Sequence, residues 1–338
     1  MTTTTAIEER NGTSPDYGIP GYRFPVPPFP SGWFQVAYGD ELAAGDVMPL
    51  EYFGEHLVAF RAQDGVARVL DAFCPHLGAH LGYGGRVEES TIRCPFHAWR
   101  FDGAGQCVEV PYANKIPPLA KLRTWPVCEV NGLVMVYNDV SGQPPRFELP
   151  ELPEVGSEHW TPYTRRRWKV RSHNQEMAEN GVDSAHFKYV HGTPDQPMTR
   201  AEIDGHILRV RSPVQYSTPQ GAIEGQIASD SHGFGFSLVR FTGIVETLIV
   251  TSVTPIDGEY VDVRFSFMTK KVGNETVTAN VGKAFIAEIE RQLGQDIPIW
   301  EHKVMKDRPV LCDGDGPIGL FRRWCKQFYL TPPPTNGD

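Results

Sequence analysis

The stretch "CPHLGAHLGYGGRVEESTIRCPFHAW", Cys74 to Trp99, decides how this chain is read. It holds a Cys-x-His and a Cys-x-x-His with seventeen residues between them, each cysteine followed by proline and the first loop studded with Gly78, Gly82, Gly84 and Gly85. Two loops offering one thiol and one imidazole each can present four ligands at the tips of neighbouring hairpins. The flanking sequence agrees with a small β domain. "LVAFRAQDGVARVLDAF" reads as two alternating strands around Asp64-Gly65, and "NGLVMVYND" as a strand bounded by turn residues.

Three chemistries compete for those four residues: tetrahedral zinc, a 2Fe-2S cluster with two thiolates on one iron and two imidazoles on the other, and unrelated buried cysteines beside surface histidines. Zinc fingers pair Cys with Cys and His with His along the chain. Here each loop supplies one of each, the order a His-ligated 2Fe-2S centre of the Rieske kind requires, since each loop must reach both irons. Cys74 and Cys94 then bind one iron, His76 and His97 the other, and His80 falls outside the spacing. Of six cysteines, Cys107, Cys128, Cys312 and Cys325 stand alone and read as small buried hydrophobes.

The remaining composition narrows the function classes. A formal charge of -9 over 338 residues supplies no cationic stripe for nucleic acid. Residues 1–18 lack a signal-peptide core, and no apolar run approaches the ~20 residues of a membrane span, so a cytoplasmic protein is expected. The expected layout is an extended Pro- and aromatic-rich arm over 1–30, the 2Fe-2S domain over 31–140, a Pro/Glu-rich linker over 141–158, a second domain over 159–330 and a tail over 331–338.

An electron carrier has no use for that second domain, and "ENGVDSAHFKYVHGT" suggests what it holds. Asn180, Asp183 and His186 recur every three residues and can share one helix face. His191 follows His186 by five residues, about 140° round an ideal helix, so the helix must end or distort before it if both imidazoles are to bind one ion. Repeated alternating runs between Ile203 and Lys271 predict an antiparallel sheet, and "TVTANVGKAFIAEIERQLGQDIPIW" predicts one long helix with a stripe of Val277, Val281, Phe285, Ile289, Leu293 and Trp300. Asp296 falls on that stripe, where an unpartnered carboxylate would be costly. Two histidines and this acid match the 2-His-1-carboxylate face that holds Fe(II) with open positions opposite; a carboxylate paired with Arg or Lys is the alternative. Pro298 should kink the helix near that site. Trp168, Trp300 and Trp324 can line a pocket or pack the core.

Over nearly its whole length the sequence resembles the oxygenase components of Rieske non-haem iron oxygenases. "CPHLGAHLGYGGRV", "CVEVPYANKIPPLAK", "QDIPIWEHK" and "LCDGDGPIGLFRRWCKQFY" are similar to the branch of 3-ketosteroid 9-alpha-hydroxylases and cholesterol 7-desaturases. The resemblance implies an α+β fold: an N-terminal all-β Rieske domain and a C-terminal helix-grip domain, an antiparallel sheet with long helices, assembled as a homotrimer. It also implies a terminal oxygenase that uses O2 and electrons from NAD(P)H, delivered by a reductase with or without a ferredoxin, to hydroxylate a steroid- or sterol-like hydrophobic molecule. Carried over by position, His186, His191 and Asp296 match the mononuclear iron ligands and Asn180 lies near them. Asp183 matches an acid that bridges an iron histidine of one subunit to a cluster histidine, here His97, of the next. Desaturation, dealkylation or oxidation of an aromatic or natural-product substrate are alternatives in the same class, and a non-catalytic Rieske electron-transfer protein is the alternative from another.

Overall fold

The computed structural model describes residues 23–218 and 221–330. Every strand pair within them is antiparallel. The first half contains three small sheets. One joins Gly32–Tyr38, Leu133–Asn138 and Val127–Val130; a second joins Val47–Tyr52, Glu55–Arg61, Ala67–Asp71 and Thr124–Trp125; the third joins Arg86–Glu88, Thr91–Arg93, Arg100–Phe101 and Cys107–Glu109. The Asp64-Gly65 and Asn131-Gly132 turns connect the strands on either side of them, with Gly65, Asn131 and Gly132 all at positive φ. The alternation expected in "LVAFR" is absent: Leu57, Val58, Ala59 and Phe60 are all buried. Leu57 and Ala59 enter one core while Val58 and Phe60 enter another, so both faces of this strand are covered.

The second half is built on a seven-stranded sheet in the order Thr164–Val170, Val261–Thr269, Thr247–Pro255, Ser237–Thr242, Gly221–His232, Ile207–Thr218, Arg200–Asp204. Along the chain, helix α1 (Asn174–Glu179) and helix α2 (Ser184–Tyr189) follow Thr164–Val170, helix α3 (Glu275–His302) follows Val261–Thr269, and helix α4 (Ile318–Cys325) lies near the end of the described residues. Among the described residues only α3 is long, so the plural "long helices" expected of this domain is corrected to one. α3 runs unbroken through Pro298. Its buried positions are Thr278, Ile286, Leu293, Asp296 and Trp300, while Val277 is exposed. The expected stripe is thus one residue out of register at its start, where Thr278 bonds to the main chain of Val272 in place of an apolar contact at Val277, and follows the expected positions from Ile289 onward.

The two halves share cores. Phe34 and Val36 pack with Val182, Leu208, Phe321 and Trp324, while Trp33, Tyr38 and Met135 pack with Phe236, Leu248 and Met268, so strand Gly32–Tyr38 is buried on both faces at the seam. Gly235 permits this approach, because a Cβ there would lie 2.1 Å from the Trp33 carbonyl oxygen. A buried polar clamp reinforces it: the Tyr52 hydroxyl donates to Asp262 at 2.6 Å, and Arg264 donates to the Val36 carbonyl at 3.0 Å. Residues 141–158 form no strand or helix but lie against the seam, the Trp33 indole donating to the Phe147 carbonyl at 2.7 Å and Asn131 bonding to Pro150 and Leu152.

Residues 1–22 of the expected arm lie outside the described residues. From Arg23 the chain lies on the second domain. The Arg23 guanidinium donates to the carbonyls of Trp300, Glu301 and Lys303 at the end of α3, at 3.1, 3.0 and 2.9 Å. This satisfies carbonyls that a helix C-terminus leaves without partners and sets a cation at the negative end of the dipole.

Candidate metal centres

The two Cys/His loops are closed by the same pair of backbone bonds. Cys74 N–H donates to Ala79 O and Gly78 N–H to Cys74 O; Cys94 N–H donates to Trp99 O and Ala98 N–H to Cys94 O. The fourth residue after each cysteine is left-handed, Gly78 at φ 75° and Ala98 at φ 60°. The loops are therefore near copies of one turn, the second joining Thr91–Arg93 to Arg100–Phe101 of the third sheet and the first closed by a bridge between Phe73 and His80. The His76 and His97 rings lie 4.7 Å apart, and His76 stacks on Trp99 at 4.7 Å with planes 8° apart. Trp99 is in turn fixed by its indole N–H, which donates to the Tyr112 hydroxyl at 2.8 Å. Sequence reading missed both roles; the only signal was an aromatic two residues after His97.

The donor set fits a cluster. Cys74 and Cys94 are buried and unbridged, and burial pushes the Cys74 thiol up to about 12, with the Cys94 thiol beside it adding to the rise. Two neighbouring buried thiols suit metal-bound thiolates, whose charge the metal compensates. His76 Nδ1 is buried with no hydrogen-bond partner, an orphan that a ligand-bearing atom explains. His80 stays outside: its Nδ1 accepts from Gly82 N–H at 3.0 Å and its ring packs on Phe73 and Tyr83. Among the four isolated cysteines, Cys107 and Cys325 are buried and Cys128 partly so, but Cys312 is exposed, which corrects the expected burial there.

The second site is assembled from distant segments. Asn180, Asp183 and His186 do not share one helix, as their spacing predicts: α1 ends at Glu179, a turn intervenes, and Asp183 is the N-cap of α2. The Asp183 carboxylate accepts from Ala185 N–H and His186 N–H at 3.0 and 3.4 Å. Gly316 buttresses the break, since a Cβ there would meet the Val182 carbonyl at 1.8 Å. α2 then frays, with Val190 and His191 both directing N–H groups at His186 O, at 2.7 and 3.4 Å. This places His191 beside His186 despite the five-residue spacing, the rings 5.0 Å apart at 80°.

One ligand atom from each of His186, His191 and Asp296 lies within 4.8 Å of the others. His186 Nδ1 donates to the Asp183 main-chain carbonyl at 2.6 Å, and because a carbonyl can only accept, Nε2 of His186 carries the free lone pair. The carboxylate of Asp183, which the sequence sets one turn before His186 as its hydrogen-bond partner, stands 3.9 Å from His186 Nδ1. His191 Nδ1 meets Gln295 Oε1 at 3.1 Å, and its Nε2 faces Asp296 Oδ2 at 3.4 Å. Burial lowers the His186 pKa. Burial acts the same way on His191, but hydrogen bonds to Asp296 and Gln295 outweigh it and leave that pKa above its ordinary value. Two imidazole nitrogens and a buried carboxylate converging with their other atoms tied off are a donor set for Fe(II). Asn180 Oδ1 accepts from the Trp300 indole at 3.3 Å, joining the turn before Asp183 to α3 one turn beyond Asp296. Trp324 lies in the core, and Trp168 packs beside Phe265. His173, which the sequence leaves without a role, caps α1: its Nδ1 accepts from Gln175 N–H at 3.1 Å and its Nε2 donates to Pro27 O at 3.0 Å.

The chain matches two families, one described as the Rieske [2Fe-2S] domain over residues 32–126 and one as the 3-ketosteroid 9alpha-hydroxylase C-terminal domain over residues 136–329. A 3-ketosteroid-9-alpha-monooxygenase oxygenase component of Rhodococcus rhodochrous is 30% identical, the match covering 95% of this chain and 87% of that protein. Cholesterol 7-desaturase nvd 1 of Ciona intestinalis is 31% identical over 91% of this chain and 70% of that one. Among solved structures, dicamba monooxygenase bound to dicamba superposes with a TM-score of 0.72 at 18% identity, covering 88% of this chain and 96% of that one. Pseudomonas putida NdmA with caffeine gives 0.70 at 19%, covering 87% and 89%. At these identities the two superpositions establish the fold.

Proposed function

The chain belongs to the Rieske oxygenases with a catalytic domain of the 3-ketosteroid 9α-hydroxylase type, and from that membership we propose a terminal oxygenase that hydroxylates a C–H bond of a steroid- or sterol-like molecule. Cys74, His76, Cys94 and His97 hold the 2Fe-2S cluster, and His186, His191 and Asp296 hold a mononuclear Fe(II). The observation that carries this reading is the convergence of those three late donors within 4.8 Å from α2, the residue after its frayed end and α3, far apart in sequence. When bound, the cluster supplies single electrons and the ferrous ion supplies O2 activation at its open positions.

The protein's own groups do the rest. The carbonyl of Asp183 keeps the His186 proton on Nδ1, and the Asp183 carboxylate, whose Oδ1 caps α2, has Oδ2 left to accept from His97 of a second copy in a homotrimer. Asp296 would offset ferrous charge on a stretch of α3 where Leu293 and Trp300 are buried in an apolar cluster. Apolar surface further along α3 supports a hydrophobic substrate: Ile249, Phe267 and Ile286 are buried, while Val239, Phe241, Phe265, Phe285 and Ile289 beside them are only partly so. Electrons come from NAD(P)H through a reductase, with or without a ferredoxin. No described helix is long and apolar enough to cross a membrane, and a cytoplasmic location is part of the proposal.

The test is a substrate-depletion screen with a reductase and NADH, comparing sterols, 3-ketosteroids, small aromatic acids and N- or O-methylated aromatics. A sterol or 3-ketosteroid consumed with gain of one oxygen is expected. Consumption of the small aromatics alone would overturn the substrate class. Loss of two hydrogens from a sterol instead would favour the second reading, desaturation, which the likeness to cholesterol 7-desaturases supports.

A further inference from the structure

His191 can offer an Nε2 lone pair to an ion shared with Asp296 only if its own proton is held on Nδ1. Its own segment does not do this, because α2 has already ended and His191 follows the frayed turn. The partner comes from α3, as the side-chain oxygen of Gln295. A glutamine amide alone is ambiguous, since a half-turn exchanges oxygen for NH2 and would favour the opposite tautomer, with the proton on Nε2 and no donor pair for a metal.

Arg291 removes the ambiguity. Its Nη1 donates to the same Gln295 Oε1 at 3.0 Å, and a reversed amide would set NH2 against a guanidinium that has no acceptor. Nη2 of Arg291 donates to the His191 main-chain carbonyl at 3.3 Å, so one side chain steadies both ends of this residue. Glu288 holds the guanidinium in turn with both carboxylate oxygens, at 2.6 and 2.9 Å. Glu288, Arg291 and Gln295 recur at i, i+3 and i+7 and so occupy one stripe of α3, whose edge meets the frayed end of α2.

We propose that Arg291 and Gln295 form a tautomer lock: positioning residues that fix the His191 proton on Nδ1 and so aim its Nε2 into the metal site. The proposal rests on the reading of His186, His191 and Asp296 as ferrous ligands. A neutral amide in this place, where metal-bound imidazoles often meet a carboxylate, keeps the ring an ordinary imidazole donor.

The test uses the full chain with its cluster intact and oxidised and the mononuclear ion removed. Anaerobic Fe(II) titration gives affinity, and nitrogen NMR of labelled histidine gives the tautomer. Gln295→Leu should weaken Fe(II) binding roughly 10- to 100-fold and mix the His191 tautomers. Arg291→Met should give a smaller fall in the same direction, and Gln295→Glu, which keeps an acceptor oxygen, should bind close to the unaltered chain. Cluster absorption and melting temperature should not move in any variant. A Gln295→Leu chain with unaltered affinity and a single Nδ1–H tautomer overturns the lock, as does a Gln295→Glu chain as impaired as Gln295→Leu. If the unaltered chain binds no Fe(II), the ligand assignment falls and the lock with it; if it binds iron and ignores both substitutions, the lock alone falls.

Discussion

The two donor regions are built in opposite ways. The cluster loops are local: each is a short turn closed by its own backbone, the second nearly repeating the first, and the whole set spans Cys74 to Trp99. The mononuclear region is tertiary: 104 residues separate His191 from the glutamine that orients it, and α2 and α3 must pack correctly before the donors meet. Turn chemistry shapes the first, whereas distant supports hold the second, Arg23 at the end of α3 and His173 at the start of α1 among them. The first should therefore tolerate damage elsewhere in the chain, and the second should register it.

The largest expected effects test that independence. Asp296→Ala should abolish turnover and mononuclear iron while leaving the visible absorption of the cluster unchanged; Cys94→Ala should erase that absorption and leave Fe(II) binding at the second site. Loss of both centres from either change would break the contrast. Next comes Asp183, which serves the second region twice. Asp183→Asn keeps an oxygen for the α2 cap, and Asp183→Ala removes it at a cost of about 1 kcal/mol. Both should keep their metals yet lose single-turnover electron transfer from cluster to iron, and full coupled activity in Asp183→Asn would remove the intersubunit bridge.

A pH effect of intermediate size should come through His173. Burial depresses its folded pKa to about 4, against about 6.5 in the unfolded chain. Below pH 6.5 the unfolded chain takes up a proton that the folded chain refuses until about pH 4. Stability present above this window is thus lost as pH falls through it, by roughly 3 kcal/mol in total. Urea midpoints at pH 7.5, 6 and 4.5 should fall less steeply in His173→Asn, which can still cap α1 without titrating; parallel curves would show that His173 does not contribute. The smallest effect belongs to the local region. Ala98 adopts the left-handed conformation that its counterpart Gly78 takes at no steric cost, so Ala98→Gly should raise stability by about 1 kcal/mol or less without shifting the cluster spectrum.

The same contrast explains what the sequence revealed. Ligand order in Cys74–Trp99 and the Asp64-Gly65 and Asn131-Gly132 turns are local signals, and they were legible. So was Asp296, because an acid on the apolar stripe of α3 stands out. The break between α1 and α2 was not, since it depends on Gly316 approaching Val182 from a segment over a hundred residues later. Phe53, left-handed in the two-residue turn it forms with Gly54, carries no turn signature and is held by packing against Phe34 and Trp125. Gln295 and Arg291 reach His191, Arg23 reaches the end of α3 and His173 reaches Pro27, contacts that no spacing rule connects.

Iron counting across three proteins tests the central claim most directly. Anaerobically reconstituted chain should hold about three irons, Asp296→Ala about two and Cys94→Ala about one, by the ligand sets assigned. An unaltered chain that holds only two irons, or zinc in place of either centre, would contradict the account.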